Sequence, residues 1–314
     1  MLGPGFPRLS HALPPPGWAG GVYGSDHMTE GFSGYLCEIL TIYYGGFHAL
    51  IEAAACWRPG EVIDIERHGR KEFEDPLVVI DPVDPGRNVA AALSLSRMFE
   101  FAELARGYLA EPSEAFFCRS PPPPLTKEVF SRLLSARGTY LFALILITPD
   151  YTPDTVVPQL RKSADSIREL LERSEFPVNR VDVCMGRERS MFLFEVMAET
   201  VPAMRRHIGP PVSARENAEK FLDKYIQEEV FAGPYIEDNR YIVELPRRFT
   251  RAVDLLRSRT LLDVALGKHI RRSMKQGWTV KVGSECWDDE FAGFLSAFLQ
   301  RSSPLARIKR TVGG

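Results

Sequence analysis

Four consecutive prolines at positions 121–124 limit what this chain can form more than any other stretch. A proline within a helix lacks the backbone N–H and clashes with the preceding turn, and within a central strand it leaves a gap in the ladder, so neither element can cross the run. Stiff polyproline geometry is expected there, and with it a boundary between two units. A second break in composition falls at Val22, because residues 1–21 hold five prolines, five glycines and one charge, Arg8. The expected organisation is a segment 1–21 of loop or disorder, a first domain over 22–120 and a second over 121–314. The abrupt change at Val22 also fits a misassigned or out-of-frame start.

The bulk composition supports cores of that size. The chain has 314 residues, 45% hydrophobic and 25% charged, which is ordinary for a globular protein. Its longest apolar run, Tyr140–Ile147, is far shorter than the roughly 18 residues a membrane helix needs, and its β-branched and aromatic content suits a buried strand. No membrane span is expected. Cys37, Cys56, Cys118, Cys184 and Cys286 are odd in number and scattered. They indicate neither a disulfide framework nor a zinc site, and a cytoplasmic setting fits them.

Behind Ser33, a good N-cap, Leu36, Ile39, Leu40, Tyr43, Phe47, Leu50, Ile51 and Ala54 recur at helical spacing, which predicts one long amphipathic helix. Short strands at 61–65 and 76–80 precede an Asp-Pro turn. Asn88 is then expected to open a helix through Leu93, followed by another over 98–109. Beyond the prolines the pattern predicts helix 126–137, strand 139–147, helix 159–173, strands 179–185 and 190–197, and helix 215–229. A hairpin 235–245 turning at Asp238-Asn239 and helices 253–275 and 289–300 follow. The expected fold class is α+β: a mostly helical central domain, then a C-terminal α/β domain with an antiparallel sheet and helices on one face.

Chemistry concentrates in Asp81-Pro-Val-Asp-Pro-Gly-Arg87. Pro82 and Pro85 stiffen this turn, so Arg87 projects from a fixed base and loses less entropy on binding. It can staple the turn through Asp81 or Asp84. Asp81 and Asp84 suit turn capping better than metal ligation.

Net charge is -2, yet between Arg247 and Lys275 nine Lys or Arg face only Asp254 and Asp263. Other basic groups are Arg161-Lys162 and Arg205-Arg206-His207. Charge runs are most often solvated faces, but so few acids among so many bases also suit a patch for a polyanion.

Gly31-Phe-Ser-Gly-Tyr-Leu-Cys-Glu38 and Asp81-Pro-Val-Asp-Pro-Gly-Arg-Asn-Val-Ala-Ala91, in that order, resemble the central domain of the archaeal, class I CCA-adding enzymes, which build the CCA end of tRNA. Pro246-Arg-Arg-Phe249 and His207-Ile-Gly-Pro210 are similar to that family's body and tail. The resemblance implies that Arg87 reads the incoming base: cytosine and adenine offer a ring-nitrogen acceptor on the pairing edge where uracil and guanine offer N–H, and arginine only donates. A buried unpaired donor costs about 1–3 kcal/mol, enough for about tenfold discrimination. The resemblance also implies that Tyr23, a phenol able to hold a phosphate without adding charge, contacts the triphosphate. Tyr23 could instead simply cover a helix start. CTP and ATP are the implied substrates and magnesium the cofactor of the intact enzyme. The tRNA acceptor stem and TψC arm would meet Arg161, Lys162, Arg205, Arg206, Arg247, Arg248, Lys268, Arg271 and Arg272, through duplex shape and phosphates.

Nucleotidyl transfer of this class uses two metal ions clamped by carboxylates, which the family supplies about ten residues after a Gly-Ser loop. Neither Gly24-Ser25 nor Gly283-Ser284 stands in that relation to an acidic pair, and Asp64 and Glu66 have no such loop before them. Their spacing places them on one strand face, where polar residues point outward anyway. No catalytic or metal-binding residue is expected in this chain. It reads as the tRNA-binding and nucleotide-selecting portion of the enzyme, inactive alone, with a separate catalytic head and a second copy of itself as further partners. A free-standing RNA-binding module, a subunit of a split nucleotidyltransferase and a non-RNA interaction protein are the alternatives.

Overall fold

The computed structural model describes residues 24, 29–69, 73–117 and 124–312, so segment 1–21, Tyr23 and the prolines 121–123 lie outside the description. Contacts divide the chain into two units, Met1–Pro123 with Gln300–Gly314, and Pro124–Leu299. Sequence position gave no hint that the last residues group with the first unit. The α+β class holds, with long helices beside antiparallel sheets. No helix among the described residues is long and apolar enough to cross a membrane.

In the first unit the Ser33 hydroxyl accepts the Leu36 N–H at 3.0 Å and starts α1 (Gly34–Tyr44). The single long helix expected here is two helices. Gly45 at φ 79° ends α1, and Gly46 at φ 140° turns the chain into α2 (Phe47–Ala54). Glycine takes these angles without strain, while the apolar period runs on across them and conceals the break. β1 (Glu61–Ile63) and β2 (Leu77–Val79) form a parallel pair. Asn88 opens no helix. It is buried and braces a turn, and α3 (Leu95–Ala110) starts later, behind the cap Ser94.

Phe32, Trp57 and Phe101 cluster at the centre of this core, Phe32 and Phe101 tilted with ring centroids 4.5 Å apart. The C-terminal helix Pro304–Val312 adds Leu305 to it. A Cβ at Gly107 would lie 2.4 Å from the Leu305 Cδ1, so the missing side chain lets that helix lie against α3.

The second unit begins with α4 (Lys127–Arg137), held between the Thr126 cap and Gly138 at φ 65°. β3 (Tyr140–Ile147), α5 (Pro153–Arg173), β4 (Val178–Met185) and β5 (Arg189–Val196) follow. Next come β6 (Met204–Pro211), α6 (Arg215–Ile226), β7 (Ala232–Glu237) and β8 (Arg240–Pro246). The unit ends with α7 (Ala252–Arg257), α8 (Lys268–Gln276), β9 (Thr279–Val282) and α9 (Ala292–Leu299). One antiparallel sheet runs β4-β5-β3-β9 and the other β6-β8-β7.

Helices cover both faces of the larger sheet, not one as expected. Phe142, Leu144 and Leu146 of β3 pack with Leu160, Ile167, Leu256 and Ile270 of α5, α7 and α8. Leu141, Ala143 and Ile145 pack with Phe130 of α4 and with Leu295 and Phe298 of α9. A central strand apolar at every position, not at every second one, needs two covered faces. The expected helix 253–275 is interrupted at Ser258 and Gly267. β6 and β9 were not anticipated, the first being arginine-, glycine- and proline-rich and the second four residues long.

The turn between β4 and β5 depends on Gly186, whose N–H donates to the Arg189 carbonyl at 2.9 Å. A Cβ on Gly186 would stand 2.4 Å from that oxygen. Gly186→Ala is therefore expected to destabilise the unit by about 1–3 kcal/mol, read as a lowered thermal midpoint. An unchanged midpoint would contradict this packing.

Candidate nucleotide and nucleic-acid interface

The turn carrying Arg87 is closed by its own backbone. The Asp81 N–H donates to the Arg87 carbonyl at 3.1 Å and the Arg87 N–H to the Asp84 carbonyl at 2.9 Å. Asp84 Oδ1 accepts the Gly86 N–H at 3.0 Å, an Asx-type closure. Below the turn, Asn88 Oδ1 accepts the N–H groups of Val79 and Ala90, while its amide donates to Asp75 and to the Leu77 carbonyl. Two of these four bonds, to Val79 and Leu77, tie the turn to β2. His68 Nε2 lies 3.1 Å from the Pro82 carbonyl on another side.

Asp81 is the charged centre of this assembly, its side chain 5% exposed. Its Oδ1 accepts the Val83 N–H at 2.9 Å and the Tyr35 hydroxyl at 3.1 Å, and its Oδ2 lies 3.6 Å from Arg87 Nη1. The Val83 N–H, then the Tyr35 hydroxyl and the Arg87 guanidinium, outweigh burial and hold its carboxyl below the usual range. Arg87 is 63% exposed. The stapled and outward-facing arrangements thus coexist, because a 3.6 Å separation is longer than a hydrogen bond and the guanidinium carries five donors. Tyr23, the other residue expected at a nucleotide, lies outside the described residues.

Among the described residues no group of three or more His, Cys, Asp or Glu is placed to hold a metal. Three of the acids are engaged elsewhere. Asp64 caps its loop by accepting the His68 and Gly69 N–H groups, both at 3.2 Å. Asp288 and Glu290 clasp Arg189 at 2.8 and 2.5 Å. The described residues do not fit magnesium.

Of the basic residues, Lys162, Lys268 and Arg272 come to neighbouring elements. α5 meets the start of α8 through Gln159 Oε1, which accepts the His269 N–H at 2.8 Å, and through Ser163 Oγ, which accepts the Gly267 N–H at 2.9 Å. Lys268, Arg272 and Lys275 recur at helical spacing on the exposed side of α8, opposite buried Ile270, Ser273 and Met274. Lys162 is exposed on α5, and Arg161 beside it is half-buried. Tyr151 and His269 add a tilted aromatic pair, centroids 3.9 Å apart. Arg271 faces inward, donating to the carbonyls of Leu262 and Val264.

In the smaller sheet Arg205 and Arg206 pair in register with Leu245 and Glu244. Arg205 is exposed, Arg206 is paired with Glu237, and Arg248 is exposed with its guanidinium over Phe249. Arg247 is only 9% exposed and is taken up by Glu175 and the Met204 carbonyl. Tyr35, Asn88 and Tyr151 are the side chains of these sites that sequence reasoning missed. Asn88, beside Arg87 in the constrained turn, and Tyr35, inside the Gly31–Glu38 stretch, carried a signal, and Tyr151 did not.

Both units match known families. Residues 18–118 match the second domain of tRNA nucleotidyltransferase, and residues 137–283 match the C-terminal domain of CCA-adding enzyme. The two matches point to one class of protein, the tRNA nucleotidyltransferases. The CCA-adding enzyme of Methanoregula boonei is 53% identical over 292 residues, 93% of this chain and 63% of that protein. That of Methanosarcina mazei is 40% identical over 88% of this chain and 61% of its own length. That of Methanothermobacter thermautotrophicus is 39% identical over 91% and 63%. The chain belongs to the archaeal CCA-adding enzyme family, and it spans less than two thirds of the length of each of these relatives.

Proposed function

We propose that this chain is the tRNA-holding and nucleotide-selecting portion of an enzyme that adds the 3′-terminal CCA to tRNA from CTP and ATP. The observation that carries this is Arg87: a donor-only group, 63% exposed, on a turn fixed by a buried carboxylate. Such a group satisfies the ring-nitrogen acceptor of cytosine or adenine and leaves two donors opposed for uracil or guanine. Tyr23 is proposed at the triphosphate. Lys162, Arg205, Arg248, Lys268 and Arg272, all exposed, are proposed to meet phosphates of the acceptor stem and TψC arm. Arg161, Arg206, Arg247 and Arg271 would then shape those surfaces more than touch RNA. The chain binds without catalysing, and the carboxylates for magnesium come from a separate head.

The test mixes the chain with tRNA lacking CCA, labelled CTP and magnesium. Binding without incorporation is expected, with log affinity falling against log salt by about 0.9 per phosphate neutralised. Changing Lys268, Arg272 and Lys275 to alanine should make that slope shallower by about 2–3. Incorporation by the chain alone would refute its inactivity. Salt-insensitive binding, or none, would refute the tRNA surface.

A further inference from the structure

Tyr35 and Arg87 stand on opposite sides of one carboxylate. An exposed arginine side chain has many rotamers, and an ion pair at its tip does little to choose among them when the partner is also free to move. Asp81 is not free to move. Its side chain is 5% exposed, and both the Val83 N–H and the Tyr35 hydroxyl converge on Oδ1. That leaves Oδ2 as the oxygen facing Arg87 Nη1. The Val83 donor belongs to the same turn and moves with it. The Tyr35 donor comes from elsewhere: it sits in the first turn of α1, a helix capped by Ser33 and rooted in the core by Leu36, Ile39 and Leu40. The hydroxyl therefore references the carboxylate to the core of the unit, and through it the direction in which the guanidinium is presented.

We infer that Tyr35 is a positioning residue that sets the presentation of Arg87 through Asp81, and so sharpens the choice between nucleobases. The part concerning nucleobases rests on the proposed base-reading role of Arg87. The part concerning Arg87 orientation does not.

Tyr35→Phe keeps the ring and removes the hydroxyl, so it tests the link with little disturbance to packing. With the whole 314-residue chain, the preference for CTP over UTP in equilibrium binding should fall about three- to tenfold, less than the full effect of a lost hydrogen bond to a charged group, because the hydroxyl acts on the base only through Asp81 and Arg87. In an Arg87→Ala background the same change should have no effect on preference, since no guanidinium remains to be positioned. Without nucleotide, the Arg87 Nε–H resonance of the nitrogen-15-labelled protein should shift or broaden in Tyr35→Phe, while tRNA affinity stays the same. An equal change of preference in both backgrounds would overturn the inference. So would an unmoved Arg87 resonance, even if the variant were less stable, because Tyr35 would then only fasten α1 to the turn. If Arg87→Ala by itself leaves the preference intact, the base-reading proposal fails, and the resonance alone decides whether Tyr35 orients Arg87.

Discussion

Glu195→Ala is expected to lower the stability of the second unit by about 3–5 kcal/mol, the range for removing one partner of a buried ion pair. Glu195 is fully buried on β5, yet it is ionised. Its carboxylate accepts from Arg137 Nε at 2.6 Å, Arg137 Nη2 at 3.1 Å, the Thr139 hydroxyl at 2.6 Å, Asn179 Nδ2 at 2.7 Å and Arg180 Nε at 2.9 Å. These donors come from the end of α4, the start of β3 and β4, so one side chain fastens three elements. Alanine leaves two guanidiniums, 33% and 19% exposed, without their anion. A denaturant titration followed by the fluorescence of Trp278 and Trp287 reads the loss, and an unchanged midpoint would contradict it.

The same carboxylate makes a prediction about acid. Burial pushes its pKa up, but the hydrogen bonds from Arg137, Thr139, Arg180 and Asn179 outweigh burial and bring it down from 4.5 to about 2. A group whose folded pKa is depressed stabilises fully above its unfolded value. Its contribution is complete above 4.5 and is lost as pH falls toward about 2, because the unfolded chain takes the proton first. Glu195→Gln should flatten the stability profile in that window.

What the sequence disclosed about this fold was local. Thr126 and Gly138 bracket α4 because a cap and a left-handed stop act within a turn of the helix they limit. The uninterrupted run of β3 revealed a buried strand, but not which helices cover its faces, since those on one face lie in α4 and α9, at opposite ends of the unit. The Arg87 turn was legible for the same reason that α4 was: its prolines and aspartates act on their own neighbours. Its anchor was not. Tyr35 reaches Asp81 across 46 residues, and Glu175 draws Arg247 inward across 72, distances over which no periodicity or spacing carries information. The arginine-rich clusters illustrate the consequence, because residues adjacent in sequence, Arg247 and Arg248 or Arg271 and Arg272, divide between half-buried struts and exposed charges.

Arg87→Ala should reduce the preference for CTP and ATP over UTP and GTP by about tenfold or more while leaving tRNA affinity intact. The size follows from what the guanidinium contributes on each side of the comparison. With cytosine or adenine its donor meets an acceptor, and with uracil or guanine two donors are opposed, so removing it both loses the favourable pairing and relieves the unfavourable one. Folding should barely register the change, because an exposed side chain 3.6 Å from its partner contributes little to stability. Arg87→Lys separates charge from shape: it restores a cation near Asp81 but not the planar fork, so it should recover nucleotide affinity more than discrimination. Competition binding of the four triphosphates to the wild-type, Ala and Lys proteins, beside a tRNA titration of each, supplies the measurement. A tRNA affinity that falls together with nucleotide affinity would place Arg87 among the phosphate contacts. An unchanged ranking of the four nucleotides would mean that the turn presents its arginine to something other than a base.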